Sequence, residues 1–283
     1  MTRPALLAFI GIALLSFMDA IIKALVVRLP VIEVAAVRYA VGSLVMVLIA
    51  AAFRPGWPTA ETLRANGARA LVVVVTAVSF FYALGQLPLA ETLILSFISP
   101  SVTALFAVLI LKERLDRRIL GALAAGFAGV IVIVAAGLGD HGTAPGGNRL
   151  AGVVAVLIAS VGYSASNVLL RARAQRDPLV TIVLIQNVAP GLILLGPAAY
   201  VWTVPSASDA MALLCVGCLG VAGHLFLARA YARAEASRLA PLDYTALIWA
   251  VVVGLVAFDE VPTIWAGLGG TLIMGSAFLA SRR

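Results

Sequence analysis

Two stretches of this chain are versions of one another, and each is long and apolar enough to cross a lipid bilayer. The later stretch, Leu239 to Glu260 (LAPLDYTALIWAVVVGLVAFDE), breaks at Pro241-Leu242-Asp243, runs uncharged from Tyr244 to Phe258 and closes on the acidic pair Asp259 and Glu260. The earlier one, Leu93 to Glu113, breaks at Pro100 and closes on Lys112 and Glu113. Laying Glu113 over Glu260 shifts the chain by 147 residues, and laying Pro30 over Pro178 shifts it by 148. Nearly the same offset at two distant points means a duplication, so the fold must be one half used twice.

The chain is 63% hydrophobic and 12% charged, whereas soluble domains carry about 25% charged residues. This is the composition of an integral membrane protein. Spans of about 20 apolar residues are needed to cross a bilayer, and ten are present. The first copy supplies Pro4 to Val27, Val31 to Phe53, Gly67 to Leu87, Ala90 to Leu111 and Ile119 to Ala136; the second supplies Leu150 to Leu170, Leu179 to Trp202, Ala210 to Ala230, Ser237 to Phe258 and Thr263 to Ala280. The expected organisation is thus a first five-helix repeat over 1–136, a polar, glycine-rich linker over 137–149 and a second repeat over 150–283.

The net charge of +7 does not point to nucleic acid, because the basic residues sit at span ends rather than in one patch. With the N-terminus in the cytoplasm, sixteen of the twenty Lys and Arg fall on cytoplasmic ends, among them Arg54, Arg64 and Arg69 after the second span and Lys112, Arg114, Arg117 and Arg118 after the fourth. That bias sets orientation, and an even number of spans places both termini inside. Five spans per copy make the second copy enter from the opposite side, so the repeats are inverted. Inverted repeats are a recurrent architecture of secondary transporters, with the solute site near the bilayer midplane.

Pro30 followed by Arg38-Tyr39, the Ser99-Pro100 to Lys112-Glu113-Arg114 stretch, the Gly121 and Gly129 pair and APLDYTALIWAVVVGLVAFDE together resemble the drug/metabolite transporter superfamily, in its ten-helix EamA-type branch, and most of all its aromatic amino-acid exporters. The resemblance covers nearly the whole chain. It implies two five-helix halves around a central cavity, alternating access, export of small metabolites and residence in the bacterial inner membrane. The second copy departs from the first at Gln186-Asn187, which align with Arg38-Tyr39.

Ionisable groups within a span cost about 2.5–3.5 kcal/mol each on insertion scales, so each calls for a partner or a watery cavity. Asp19 and Lys23, four apart on one helix face, serve either as a charged lip for a zwitterion or as a self-neutralising helix end. Arg38, about 10 Å into its span, is the deepest candidate charge, for a carboxylate or for a structural tie to Asp19 or Asp243. Asp243 either caps its helix or lines an entrance. Tyr82 with Gln86 and Tyr163 with Asn167 each share a face at four-residue spacing. Together with Tyr39, Ser96, Ser99, Gln186, Asn187, Tyr244 and Trp249 they form a candidate lining, mostly apolar with a few placed polar groups, suited to amino acids with aromatic or large apolar side chains. Hydrogen bonding between helices is the alternative use of each. Pro100, Pro190 and Pro241 remove backbone donors and are candidate hinges. Gly121, Gly126 and Gly129, with Gly267, Gly270 and Gly275, leave flat faces for close packing.

Other readings fare less well. Cys215 and Cys218 lack the partners a metal or redox site needs and are expected to be buried small hydrophobes. His141 lies in the linker, His224 in the eighth span has no carboxylate within a helical turn, and no GxSxG, HExxH or Walker A sequence occurs, which argues against an intramembrane enzyme. Sugar-phosphate or nucleotide-sugar cargoes call for several intramembrane cations, of which the sequence offers Arg38 and Lys23. No cofactor is expected; the partners are a small solute and the bilayer, with monomer and homodimer both open.

Overall fold

A computed structural model describes residues 3–53, 56–111, 117–136, 148–173, 178–231, 233 and 242–281. Among the described residues there are eleven helices and no strand: α1 (Arg3–Val26), α2 (Val31–Phe53), α3 (Ala60–Gln86), α4 (Leu89–Ser96), α5 (Ser99–Leu111), α6 (Arg117–Ala136), α7 (Arg149–Arg173), α8 (Leu179–Tyr200), α9 (Ala207–Tyr231), α10 (Thr245–Phe258) and α11 (Ile264–Ser281). Six of them contain an apolar span of 21 to 27 residues, enough to cross a bilayer at 1.5 Å per residue. Helices α4 and α5 are two halves of one crossing, parted at Phe97 and Ile98 just ahead of Pro100. With them counted once, the crossings among the described residues number ten, in the order and close to the bounds expected from hydropathy.

Two bounds and one expected burial differ from the sequence reading. Helix α3 begins at Ala60 rather than Gly67, so its first two turns are polar and carry Arg64 and Arg69 inside the helix. The ninth crossing is regular only from Thr245, with a short turn at Leu242 and Asp243 before it. Cys215 and Cys218 face outward from α9 instead of being buried, as apolar side chains on a lipid-facing stripe do. The expected hinge Pro241, the linker residues 137–147 and the basic residues Arg54, Lys112, Arg114, Arg176, Arg238, Arg282 and Arg283 lie outside the described residues.

The chain forms two compact units, unit 1 from Met1–Val74 with Ala172–Ala250 and unit 2 from Val75–Arg171 with Val251–Arg283. Each unit draws helices from both copies. In unit 1, α1 packs on α9 and α2 packs on both α8 and α9. The approach is close because glycines sit at the crossings: a Cβ on Gly11 would lie 3.0 Å from the Gly223 carbonyl, and one on Gly191 would lie 3.5 Å from Ser43 Oγ. In unit 2, α6 packs on α11, where a Cβ on Gly129 would lie 2.6 Å from the Gly269 carbonyl. Gly126, against Ser276, is also in this packing and Gly270 instead meets Ile94 of α4, but Gly121, Gly267 and Gly275 meet nothing within 4 Å among the described residues, so half of the expected glycine set packs on nothing described.

The inversion is visible within each unit. Helices α2 and α8 are equivalent in the two copies, and they run antiparallel: Tyr39 meets Gly191, Gly42 meets Asn187, and Met46 packs with Val183. Helices α6 and α11 are equivalent as well, with Gly126 against Ser276 and Gly129 against Ile273. A helix can lie antiparallel to its own duplicate only if the duplicate crosses the membrane the other way.

Candidate functional site

Most candidate residues of the first span pair converge in unit 1. Arg38 is 9% exposed. Its guanidinium carbon lies 4.5 Å from the centroid of the Tyr39 ring, a cation–π distance. On its other side is the bare backbone of α9, where a Cβ on Gly220 would lie 3.3 Å from Arg38 Nη2. Gly220 is what gives the guanidinium room. Asp19 on α1 and His224 on α9 are near enough for their charges to act on Arg38 or feel it. His224 Nδ1 is 2.6 Å from the Gly220 carbonyl, a bond that fixes the ring against the same turn. Lys23 is buried and, four residues beyond Asp19, is one turn along that face of α1.

Gln186 and Asn187 lie opposite on α8. Gln186 Oε1 accepts a hydrogen bond from Arg69 Nη2 at 3.1 Å, and Asn187 Nδ2 donates to the Val183 carbonyl at 2.8 Å. Arg69 also lies within electrostatic reach of Tyr39. Arg69, counted from the sequence among the charges at cytoplasmic span ends, is thus 4% exposed, held within α3 against the amide of Gln186 on α8. Trp249 on α10 rests on two rings of α1, with centroids 5.9 Å from Phe9 and 5.5 Å from Phe17. Its indole N–H has no hydrogen-bond partner among the described residues. Tyr244 and Asp243 are half-buried at the start of this segment, and Pro190 is buried inside α8.

The remaining candidates belong to unit 2. Helices α3 and α7 pack antiparallel, with Gly162 on Thr76 and Gly152 on Gln86 and Leu87. Tyr82 and Tyr163 are exposed on these helices and Asn167 is half-buried. Gln86 does not serve as free lining: its Oε1 accepts from the Asn148 backbone N–H at 2.7 Å. Ser96 and Ser99 are also engaged, Ser96 Oγ on the Leu93 carbonyl and Ser99 Oγ on that of Ser96, while Ser164 Oγ donates to Ser99 O at 2.9 Å. The Ser96 carbonyl is one of those left open where α4 stops, and the Ser99 hydroxyl satisfies it. Pro100 stands in the first turn of α5, where a missing N–H costs nothing.

Sequence reasoning passed over two buried carboxylates. Glu33, fully buried, accepts from both the Thr203 N–H and its hydroxyl at 2.9 Å. Glu91 pairs with Arg149 at 2.7 Å. Each is the third helical residue after a proline, in Pro30-Val31-Ile32-Glu33 and Pro88-Leu89-Ala90-Glu91; that shared spacing was the available signal. Arg28, Asp209 and Ser206 form a further tie, with 2.7 Å contacts from Asp209 to each of the other two. No group of three or more metal-ligating side chains occurs among the described residues.

Comparison with known proteins places this arrangement. The model of the EamA-like transporter family matches the chain twice, over residues 2–135 and 150–282. The pseudopaline exporter of Pseudomonas aeruginosa is 28% identical over 98% of this chain and 95% of its own length. An uncharacterized transporter of Helicobacter pylori is 28% identical over 75% of this chain and 71% of its own, and the S-adenosylmethionine uptake transporter of Rickettsia conorii 24% over 86% and 80%. A protein crystal structure that covers 98% of this chain and 97% of its own superposes with a TM-score of 0.67 at 23% identity, which speaks to the fold alone.

Proposed function

The chain belongs to the EamA-like transporter family, an integral transporter of the bacterial inner membrane rather than an enzyme, and from that premise we propose that its cargo is a small amphoteric metabolite bound through a carboxylate. The observation that carries this is the setting of Arg38: a buried guanidinium backed by the Tyr39 ring, given space by Gly220, with Asp19 beside it. A guanidinium matches a carboxylate through two parallel N–H···O bonds, and an acid close by suits the ammonium of the same solute. The rings of Phe9, Phe17 and Trp249 give an apolar companion surface in the same unit. Amino acids with aromatic or large apolar side chains fit this combination, moved by exposure to the two membrane faces in turn. The named relatives include one exporter and one uptake transporter with different cargoes, so the scaffold alone fixes neither cargo nor direction.

A second reading has its own observation. The case against cargoes of fixed negative charge counted two intramembrane cations, and Arg69 makes a third beside Lys23 and Arg38. Three cations in one unit favour a solute with two anionic groups, such as a dicarboxylate or a phosphorylated sugar. Counterflow in proteoliposomes against a series of unlabelled solutes, run once with labelled phenylalanine and once with a labelled dicarboxylate, separates the two. The first reading expects exchange with aromatic and branched amino acids, reduced by Arg38→Ala. Exchange confined to dianions would establish the second, and equal transport by Arg38→Ala would remove Arg38 from the site.

A further inference from the structure

One face of unit 2 carries a polar cluster that the solute site does not use. Here α3 ends, α4 and α7 begin and α10 ends. Arg149, the first residue of α7, pairs with Glu91 at 2.7 Å and reaches the Ile133 carbonyl of α6 at 3.2 Å. From the end of α10, Glu260 Oε2 accepts the Leu89 N–H at 2.7 Å. That N–H is one of the open donors at the start of α4, and a carboxylate there is further favoured by the helix dipole. The position of Glu260 is set by Asp259, which takes the left-handed conformation at φ 54°, a helix stop that Asp tolerates better than most residues. The Glu260 N–H closes the turn on the Gly254 carbonyl at 3.0 Å.

Two features separate this cluster from a static staple. Glu260 lies close enough to Glu91 for the two carboxylates to repel, and Arg149 Nε has no partner among the described residues. Buried polar networks left incompletely satisfied are weak points rather than anchors. In addition, α4 is only eight residues long. It is held at its start by this cluster and is parted from α5 at its other end by the Phe97-Ile98 break, so it is a short rigid body with a joint.

We infer that Glu91, Arg149 and Glu260 form a latch on α4 that closes one membrane face of the transporter and must release in each cycle. The role rests on the transport reading; the latch itself is tested without any solute. In a Cys215→Ser, Cys218→Ser background, one protein carries Ala90→Cys beside the latch and another carries Asn66→Cys near the opposite end of α3; both positions are buried. A membrane-impermeant maleimide is applied from each side of reconstituted vesicles. Adding Glu91→Gln or Arg149→Gln is expected to raise the labelling rate at Ala90→Cys about tenfold and to lower it at Asn66→Cys, because opening one face closes the other. The charge-exchanged protein, Glu91→Arg with Arg149→Glu, is expected to return both rates toward the parent and keeps the test decisive should a single variant fold poorly. Unchanged labelling at Ala90→Cys, or a rise there with no fall at Asn66→Cys, overturns the proposal, the latter by making the cluster a local staple. Failure of the parent to exchange any solute in counterflow would instead count against the cargo reading and leaves these rates interpretable.

Discussion

The Arg69–Gln186 contact allows the sharpest test of how the two copies fit together. Gln186 is the second-copy equivalent of Arg38, so Gln186→Arg puts the first copy's residue into the second. In the fold, however, that side chain meets Arg69 Nη2, now 3.1 Å from Gln186 Oε1. Two guanidinium charges about 4 Å apart repel by about 4 kcal/mol at an effective dielectric of about 20. The lost amide bond adds about 0.6 kcal/mol, and swinging of the long side chains returns part of both. A destabilisation on the order of 3–4 kcal/mol remains, which lowers the unfolding midpoint by about 10 °C. Purified variants are compared in one detergent at a fixed scan rate, since membrane proteins often unfold irreversibly. Gln186→Glu has nearly the same shape and a charge opposite to that of Arg69, and is expected to stay within about 1 kcal/mol of the parent, because the attraction to Arg69 is offset by the cost of burying the carboxylate. Arg69→Gln combined with Gln186→Arg is expected to recover most of the loss. An unshifted midpoint for Gln186→Arg, or equal damage from Gln186→Glu, would refute the electrostatic account.

Other outcomes follow from the same packing. Arg38→Ala removes a charge-assisted pair of about 1.5–3 kcal/mol and is expected to slow counterflow by roughly 10- to 100-fold, with Arg38→Lys intermediate, read from initial rates in proteoliposomes. At the α6–α11 crossing, Gly129→Leu forces a side chain against the Gly269 carbonyl; overpacking of this kind costs about 1–3 kcal/mol, so the folded fraction by size exclusion should fall, while Gly121→Ala, which meets open space, leaves it unchanged. Glu33→Ala strands the Thr203 N–H and hydroxyl and should cost about 1–3 kcal/mol, with Glu33→Gln recovering part of it in the same melting assay. Tags on the two termini are expected to be accessible from the cytoplasm alone, as protease protection in intact cells and inverted vesicles would reveal.

The crossings were legible because hydropathy over twenty residues is an additive signal, and inversion was legible because an odd number of spans per copy forces it. Arg69 was not, since a cation two residues ahead of an apolar run looks like a helix end whether or not the helix continues past it. What decides its burial is α8, which supplies Gln186 from more than a hundred residues away in sequence. Gln86 misled in the opposite direction: its four-residue spacing from Tyr82 is real, but the side chain turns to the Asn148 backbone. Periodicity reports which face a residue occupies, and says nothing about which neighbour has already claimed its hydrogen bonds. Pro100 marks the start of α5 in the sequence for the opposite reason, because the preference of proline for the first turn of a helix is local.

The departure of the second copy from the first has a physical cause in the packing. Because α2 and α8 are duplicates lying antiparallel, what α2 shows to α9 has an equivalent in what α8 shows to α3. On the first of these surfaces Arg38 comes from α2 and faces the glycines of α9, where a Cβ on Gly217 would lie 3.3 Å from the Arg38 carbonyl. On the second, the guanidinium comes from α3 as Arg69, which at an offset of 148 stands at the level of Gly217, and α8 answers with the amide of Gln186. Each surface thus holds one guanidinium, contributed by opposite members of the equivalent pairs. Had the duplication been kept at both places, the α3–α8 surface would hold two cations in hydrocarbon and the α2–α9 surface would have no space for its own. The asymmetry at Gln186-Asn187 is therefore a consequence of the symmetric fold, and exchanging the partners across either surface should be tolerated only when both members change together.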